Sequence, residues 1–232
     1  MTTTTANAPA CVGIIMDGNR RFARERNLPQ LEGHRAGLDK VREVIRWAKE
    51  VGVKNLIVYA LSTENLKRTE EEVSHLFKLI RLSLRDFMTD FKKEGGVLKC
   101  VGDLALLPLD IQKLITKTEA ETMDNEGIHF YIALAYGGRV EIVRTVQRIV
   151  AQQLEPEEIT EALIAKNLFT YPMPDPDIII RTGGEQRLSG FLPWQSVYSE
   201  LFFTKTYWPA FSKQEFFAIL DEFSKRKRNF GK

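Results

Sequence analysis

The chain has little cysteine and no long hydrophobic run. Cys11 and Cys100 are its two cysteines, and neither has the CxxC spacing of a zinc or redox site. We therefore expect buried thiols in a reducing compartment, with no disulfide. The longest apolar runs, 56–61 and 130–135, are far shorter than the roughly 20 residues that span a bilayer. These features predict a cytoplasmic protein that can touch a membrane surface but not cross it.

A strong excess of either charge is also missing. Thirty-three Lys and Arg residues face 31 Asp and Glu residues, which gives a formal charge of +2. Because nucleic-acid binding usually shows as a strongly basic domain, we expect no nucleic-acid partner. The basic tail KRKRNFGK is more typical of a solvated end, a subunit contact or a membrane-surface anchor.

Several widespread catalytic motifs do not occur. The chain contains no GxxxxGK[ST], GxGxxG, GxSxG or HExxH string, which weighs against common NTPase, dinucleotide-binding, hydrolase and zinc-peptidase functions. His75 and His129 have no partner at metal-ligand spacing and are more typical of structural histidines.

What is present is an ordinary globular composition in one uninterrupted unit. The 232 residues are 44% hydrophobic and 28% charged, and a chain of this length buries roughly 70 to 75% of its unfolded surface. Residues 1–10, MTTTTANAPA, lack a signal-peptide pattern and predict a disordered lead-in. No repeat or linker divides residues 11–232, which we assign to a single domain.

Apolar strands alternate with amphipathic helices along the chain. Helical spacing of apolar residues predicts helices near 38–48, 70–94, 110–123, 139–153, 157–168 and 213–227, and short apolar runs predict six strands near 14–16, 55–61, 97–101, 129–135, 178–180 and 201–204. Strands that alternate with helices favour an α/β fold, a central, mostly parallel six-stranded sheet flanked by helices.

The stretch IIMDGNRRFAR, residues 14–24, joins the first strand to a helix. Its apolar run ends in Asp17, Gly18 and Asn19, and arginines follow at 20, 21 and 24. Ligands collect at the carboxyl ends of strands in open α/β sheets, and helix N-termini offer free N–H groups to phosphates. An acid beside several cations suits a magnesium-bound anion, although a plain strand–turn–helix junction with surface arginines would contain the same residues.

Two further strand ends carry polar side chains. Residues 62–65, STEN, follow the second strand, with Arg68 just beyond. The fifth strand leads into RTGGEQRLS, where Arg181, Arg187 and Ser189 surround a Gly-Gly turn. Since arginine forks match phosphate oxygens, this turn predicts a second anion site. Glu200 follows at the next strand, where it would either pair with an arginine or hold a metal.

The predicted helix at 70–94 is apolar over more than one face. Leu79 and Leu82 widen a stripe that already includes Leu76, Phe77 and Ile80. Such a helix either lies between the sheet and a subunit interface or lines a cavity for a lipid.

Taken together, these strings resemble the cis-prenyltransferases, the undecaprenyl diphosphate synthase family. The resemblance covers nearly the whole chain after residue 10, and it rests on IIMDGNRRFA, EGHRAG, YALSTEN, AYGGR, IIIRTGGEQRLSGFLPWQSVYSELFF and NFG in this order. It implies that residues 11–232 are the catalytic domain of a magnesium-dependent enzyme. Such an enzyme adds isopentenyl diphosphate to an allylic diphosphate, such as farnesyl or geranylgeranyl diphosphate, and makes a cis-polyprenyl diphosphate, typically a lipid-carrier precursor. A homodimer, an apolar tunnel for the product and peripheral contact with membrane lipid are further expectations, and the absence of DDxxD disfavours the trans type.

The resemblance also implies roles for individual residues. Asp17 would be the essential acid that handles magnesium and the allylic diphosphate, Asn65 would assist proton removal, and Glu200 would share the metal. The remaining substrate-binding residues by this resemblance are Gly18, Asn19, Arg20, Arg21, Phe22, Gln30, His34, Ser62, Thr63, Glu64, Leu66, Arg68, Arg181, Arg187, Leu188 and Ser189. Within that set Arg181, Arg187 and Ser189 would hold the isopentenyl diphosphate.

Some positions depart from the family's usual residues. These positions are Arg20, Phe22, Gln30, Leu66, Ala135, Gln186 and Asn229.

A non-catalytic partner subunit of a heteromeric prenyltransferase is the main rival hypothesis, but such a subunit would be expected to lose the Asp17 motif. A phosphate-binding module for nucleic acid is a third hypothesis, and the near-neutral charge opposes it.

Overall fold

A computed structural model describes residues 8–228, without the side chains of 86–90. Its sheet has six strands, all parallel, in the order β3-β4-β2-β1-β5-β6. The strands are β1 Cys11–Ile15, β2 Asn55–Tyr59, β3 Val97–Val101, β4 His129–Ala133, β5 Ile178–Arg181 and β6 Glu200–Phe203. The predicted α/β fold and six strands are confirmed, and the sheet is wholly rather than mostly parallel. Residues 1–7 of the predicted lead-in and Asn229 lie outside the described residues.

Eight α-helices accompany the sheet in the described part of the chain. They are α1 Asn19–Glu25, α2 Gln30–Val51, α3 Glu70–Leu82, α4 Met88–Lys93, α5 Leu109–Thr122, α6 Gly138–Val150, α7 Glu161–Asn167 and α8 Lys213–Lys225. The predicted helix at 157–168 is wrong in its first turn. A 3-10 turn at Pro156–Glu158 precedes α7, which starts only after the side chain of Thr160 accepts a hydrogen bond from Leu163 N.

The predicted helix at 70–94 consists of three parts. A π-helical segment, Ser83–Phe87, joins α3 to α4. Ser83 Oγ donates to the Leu79 carbonyl at 2.7 Å, one turn back. No residue of α3 is fully buried, whereas Leu84 in the π-segment is 3% exposed. The wide apolar surface of this helix is therefore packed at its end and only loosely covered along α3.

Both faces of the sheet are covered by apolar clusters. The side chains of each strand alternate between the two clusters. Val12 and Ile14 of β1 pack in the larger cluster, which α2, α5 and α8 complete. Cys11 and Ile15 point to a second cluster on the opposite face. This alternation is the period of a pleated strand buried on both sides, and it explains why the strands are continuous apolar runs. Cys11 and Cys100 are both buried thiols, as predicted.

Strand β1 lies at the centre of the sheet, between β2 and β5. The chain leaves its carboxyl end through Gly18, whose φ of +106° is a left-handed conformation. A Cβ at this position would lie 2.7 Å from Tyr207 Cδ1, so a side chain has no room there. Close approach also lets α2 pack on α1, where a Cβ on Gly33 would lie 2.2 Å from the Asn19 carbonyl oxygen. These contacts fix the turn that carries Asp17.

The start of the basic tail is bound to the opposite, amino-terminal edge of the sheet. Arg228 Nη1 donates to Asp177 at 2.6 Å, and Asp177 also accepts from the backbone N–H groups of Ala10 and Cys11. Arg226 pairs with Glu200 and Glu222. The described arginines of the tail therefore form ion pairs near the amino-terminal ends of β1, β5 and β6 and are not simply solvated.

Candidate active site

A pocket of about 840 Å³ opens at the carboxyl ends of β1, β2, β4 and β5. Parallel strands bring their following loops to one edge of the sheet, and sites form there. Twelve of the residues predicted from the sequence line it, namely Asp17, Gly18, Asn19, Arg20, Arg21, His34, Ser62, Glu64, Asn65, Arg68, Arg181 and Ser189. The separate strand ends of the sequence therefore form one site.

Asp17 lies between two arginines at this edge. Its Oδ1 accepts from Arg21 Nη2 at 3.0 Å and its Oδ2 accepts from Arg181 Nη2 at 2.9 Å. The Asp17 carbonyl oxygen accepts from Thr182 Oγ1 at 2.8 Å and from Trp208 N at 3.0 Å. The bond from Trp208 N ties the loop after β6 to the turn after β1. Backbone and carboxylate of Asp17 are therefore both held in place.

Arg181, the last residue of β5, is almost fully buried, with 5% of its side chain exposed. Besides Asp17 it donates to Ser189 Oγ at 2.8 Å and to the Arg187 carbonyl oxygen. Its Nε has no acceptor among the described residues. Arg187 does not line the pocket, and its guanidinium pairs with Glu185 instead. Of the predicted second anion site, Arg181 and Ser189 thus face the pocket, and Arg187 contributes its backbone.

Arg20 connects the site to α3. Its Nε donates to Gln30 Oε1 at 3.1 Å, and its Nη2 donates to Glu72, which also lies 4.0 Å from Arg68 Nε. Two cations at the rim of the pocket are therefore partly neutralised by one carboxylate, Glu72, which the sequence alone did not single out. Gln30 holds the Arg20 side chain in place and does not itself line the pocket.

His34 lies in the second turn of α2 and lines the pocket beside Arg20 and Arg68. Burial, and then the positive charges of Arg20 and Arg68, lower the pKa of the imidazole from 6.5. The ring is therefore neutral at neutral pH and has one N–H to donate.

The loop at 62–65 is closed by its own side chains. Asn65 Oδ1 accepts from Ser62 N at 3.2 Å, and Ser62 Oγ accepts from Asn65 N at 3.1 Å. Thr63 N donates to the Tyr136 carbonyl oxygen at 2.9 Å, which ties this loop to the end of β4. With its carbonyl oxygen occupied, the Asn65 carboxamide has its NH₂ group left for a ligand.

Glu200 is not brought to this pocket within one chain. It begins β6, opposite Ile178, whereas the strand end next to the site pairs Ile15 with Arg181. The two ends of β5 are about 10 Å apart. The Glu200 carboxylate accepts a hydrogen bond from Arg226. Of the two alternatives that the sequence left open, pairing with an arginine or holding a metal, the structure shows the first.

Four other predicted residues do not line the pocket. Leu66 and Leu188 pack against the two apolar clusters, Thr63 is half-buried beside Gly137, and the Phe22 ring stacks under the Arg26 guanidinium at 3.8 Å. These residues support the loops that carry the site.

An apolar cavity of about 120 Å³ adjoins the polar pocket. The two share the residues Met16, Asn19, His34, Ala60 and Leu76 in their walls. Beyond these the cavity is lined mainly by aliphatic and aromatic side chains of α2, α3, β2 and β4. Leu76, Leu79 and Ile80 of the wide helix belong to this wall.

Sequence reasoning missed the contribution of β4 to the site. Gly137, Gly138 and Arg139 of the AYGGR string line the pocket, and so do Tyr59 and Gly190. The same signal that identified the end of β1 was available here, because an apolar strand ends in glycines and an arginine at a helix start.

Ala135, one of the positions expected to depart from the family's usual residue, is buried with φ of +46°. Non-glycine residues rarely adopt this left-handed conformation, although asparagine tolerates it better than most. Gln186, another departure, is exposed and outside the pocket wall.

Several known proteins are similar to this chain in sequence, in fold or in both. The undecaprenyl diphosphate synthase family matches residues 15–231. An isoprenyl transferase of Rhizobium meliloti is 44% identical over 97% of this chain and 93% of that protein. A geranylgeranyl-diphosphate-specific tritrans,polycis-undecaprenyl-diphosphate synthase of Pyrococcus furiosus is 46% identical over 97% of this chain and 87% of that protein.

Among solved structures, the lavandulyl diphosphate synthase of Lavandula x intermedia, in complex with dimethylallyl diphosphate, superimposes with a TM-score of 0.93. It is 34% identical, and the match covers 97% of this chain and 99% of that one. The chain therefore belongs to the undecaprenyl diphosphate synthase family of cis-prenyltransferases and is an isoprenyl transferase, a cis-type polyprenyl diphosphate synthase.

Proposed function

We propose that the enzyme condenses isopentenyl diphosphate with an allylic diphosphate, either farnesyl or geranylgeranyl diphosphate, and makes an undecaprenyl-type cis-polyprenyl diphosphate. The observation that carries this proposal is the meeting of two environments: a pocket lined by five arginines adjoins an apolar cavity and shares part of its wall with it. A prenyl diphosphate has the same two parts, an anionic head and an apolar chain.

In the proposed reaction the allylic C–O bond breaks and the diphosphate leaves with the bonding electrons. The double bond of isopentenyl diphosphate supplies the electrons of the new C–C bond, and the proton lost from the carbon next to the resulting cation passes to an oxygen of the departing diphosphate. Arg20 and Arg21 stabilise the charge that develops on the leaving diphosphate. Because a carboxamide is not basic, Asn65 would orient the group that takes the proton through its free NH₂ rather than take it.

Magnesium is proposed as the metal that assists this departure. When bound, it would neutralise the charge of the diphosphate oxygens. Asp17 offers a partly exposed carboxylate in the pocket. Mg²⁺ usually takes one or two protein carboxylates together with phosphate oxygens and waters, so this donor set fits. No group of three or more acidic, His or Cys side chains that could hold a metal is found among the described residues, and the proposed ion is one that the protein shares with its substrate.

Glu200 remains a proposed second ligand, but it lies at the other end of β5 and is bonded to Arg226. For Glu200 to reach the metal, it would have to come from another copy of the chain.

We further propose a homodimer, which two uncovered apolar surfaces support. Val143, Val146 and Val150 on one face of α6 are 55%, 53% and 69% exposed, and Leu201 and Phe203 are partly exposed on the edge strand β6. Contiguous apolar surface of this kind commonly marks an interface. Sedimentation of the wild type and of Val146→Asp tests this, since a dimer that uses α6 should dissociate in the variant.

The growing chain is proposed to occupy the apolar cavity and to pass to membrane lipid on release. Burial contributes roughly 0.8 kcal/mol per CH₂, so a longer product should leave more slowly. None of the helices in the described part of the chain is long and apolar enough to cross a bilayer. Contact with lipid is therefore proposed to be peripheral.

A short product is a second candidate, favoured by the size of the cavity. At about 120 Å³ it is close to the roughly 150 Å³ that accommodates one benzene ring. A product of many isoprene units would require the loosely packed α3 to move outward. The similarity to a lavandulyl diphosphate synthase fits the same alternative.

The test is to incubate the purified protein with labelled isopentenyl diphosphate and allylic primers of several lengths, with magnesium or with chelator. Magnesium-dependent extension supports the proposal, and the length of the product decides between the long and the short chain. Asp17→Ala should abolish turnover, with Asp39→Ala on the exposed side of α2 as the control. Absence of any extended product with every primer would overturn the proposal.

A further inference from the structure

Arg139 is the arginine of the pocket that the proposed roles leave unused. It follows β4 as the second residue of α6 and lines the same 840 Å³ pocket as Asp17 and Arg181. Five arginines line this pocket, and four of them are paired with carboxylates: Arg20 and Arg68 with Glu72, and Arg21 and Arg181 with Asp17. Within residues 8–228, no ion pair or hydrogen bond is found for the Arg139 side chain.

This difference matters for the binding of an anion. A paired arginine must share or give up its carboxylate before it can bind a phosphate oxygen, whereas an unpaired one loses nothing but its hydration. Arg139 therefore offers the pocket a full positive charge that no acid in the described part of the chain offsets.

The backbone around Arg139 adds donors in the same place. Gly138 N donates to the Gly190 carbonyl oxygen at 2.8 Å, and Glu141 N donates to the Gly137 carbonyl oxygen at 2.8 Å. Between them, the N–H groups of Arg139 and Val140 have no acceptor among the described residues, and Val140 also lines the pocket. The first turn of a helix presents such N–H groups to anions.

The unsatisfied Nε of Arg181 is an independent sign of a ligand on this side. The Arg181 side chain is 5% exposed, it lines the same pocket, and its Nε has no acceptor in the described part of the chain. Its neighbour Ser189 adjoins Gly190, which in turn is bonded to Gly138. The start of α6 and the proposed isopentenyl diphosphate site are thus hydrogen-bonded to each other.

A buried network keeps the start of α6 rigid. The Glu141 carboxylate, in the first turn, accepts from Tyr136 Oη at 2.5 Å, from Gln195 Nε2 at 3.1 Å and from Thr170 N at 3.3 Å. Glu141 is fully buried. Donors fixed in this way bind an anion without being ordered first.

We propose that Arg139, together with the free N–H groups of α6, binds the diphosphate of the incoming isopentenyl diphosphate opposite Arg181 and Ser189. The assignment rests on the proposed function and adds a binding residue to it. It places the incoming diphosphate beside the contact of Gly138 with Gly190, where the loops after β4 and β5 meet, and it leaves the arginines after β1 to the allylic diphosphate.

The test compares Arg139→Gln with Arg148→Gln, which removes the same charge from the same helix outside the pocket. Loss of one charge-assisted contact should raise KM for isopentenyl diphosphate roughly 10- to 100-fold in Arg139→Gln. KM for the allylic substrate should change by less than about threefold, and Arg148→Gln should match the wild type. An unchanged KM for isopentenyl diphosphate, or a larger effect on the allylic substrate, would overturn the assignment.

Calorimetry with isopentenyl diphosphate alone separates this inference from the proposed function, because it requires no turnover. If the wild type binds this ligand and Arg139→Gln does not, the contact stands even when no product forms. If the wild type forms product and Arg139→Gln binds isopentenyl diphosphate as tightly as the wild type, the contact is refuted and the proposed function is retained.

Discussion

Replacing Asp17 with asparagine is expected to separate the binding of a diphosphate from its turnover. In the structure the Asp17 carboxylate bonds Arg21 at 3.0 Å and Arg181 at 2.9 Å, so it competes with a diphosphate for both cations. A guanidinium that bridges a carboxylate and a phosphate keeps the two anions about 5 Å apart, where their repulsion is worth about 1 to 3 kcal/mol. Without metal, Asp17→Asn should therefore bind inorganic pyrophosphate about 5- to 150-fold more tightly than the wild type.

With magnesium the order should reverse. The wild type gains affinity because Asp17 can share the metal with the pyrophosphate, whereas the variant lacks the carboxylate and gains little. Calorimetric titration in chelator and in magnesium measures both effects, and Asp39→Asn on α2 is the matched control, since Asp39 pairs with the partly exposed Arg42. Weaker binding by Asp17→Asn in chelator would refute the view that Asp17 and the diphosphate share the same arginines.

The same substitution should lower stability. It leaves Arg181, whose side chain is 5% exposed, without its carboxylate, while its bonds to Ser189 and to the Arg187 carbonyl oxygen remain. Loss of one charge-assisted bond at a buried group costs about 1 to 3 kcal/mol. Denaturant unfolding measures this loss, and binding is then compared at a temperature where both proteins are folded.

Three further substitutions test other parts of the site. Ala135→Gly should raise the free energy of unfolding by up to about 1 kcal/mol in denaturant titrations, because Ala135 has φ of +46° and glycine adopts this conformation without strain; a loss of stability would contradict that explanation. Glu72→Gln should lower KM for the allylic diphosphate about two- to fivefold by freeing Arg20, since partly exposed ion pairs are worth about 1 kcal/mol or less, and a higher KM would argue against competition at the rim. The pKa of His34 is lowered from 6.5 in the folded protein, so below that pH the unfolded chain binds a proton more readily than the folded one. The contribution of His34 to the free energy of unfolding is therefore fully present above pH 6.5 and is lost as the pH falls below it. Thermal unfolding at about pH 7.5 and about pH 5.5 should show a smaller acid-induced loss in His34→Gln, and an equal loss would exclude His34 as its source.

Much of the fold followed from local patterns. Continuous apolar runs such as 55–59 and 129–133 can be recognised as strands buried on both sides, because each contains enough apolar surface to be covered twice. Helix periodicity located six of the helical regions, but not the π-segment Ser83–Phe87 inside the helix predicted at 70–94. A π-helix bonds each N–H to the carbonyl five residues back instead of four, and this change of one residue does not alter the apolar stripe enough to be recognised in the sequence.

The sequence by itself determined which residue types follow each strand, and therefore that Asp17, Asn65 and Arg181 would meet at one edge of a parallel sheet. Which acidic and basic side chains pair with each other was decided only by the tertiary structure. Which carboxylate each arginine meets depends on side chains far apart in the sequence, such as Arg20 with Glu72 and Asp17 with Arg181. The same holds for Arg139, whose residue type was visible in AYGGR but whose lack of a partner among the described residues is a property of the packed chain.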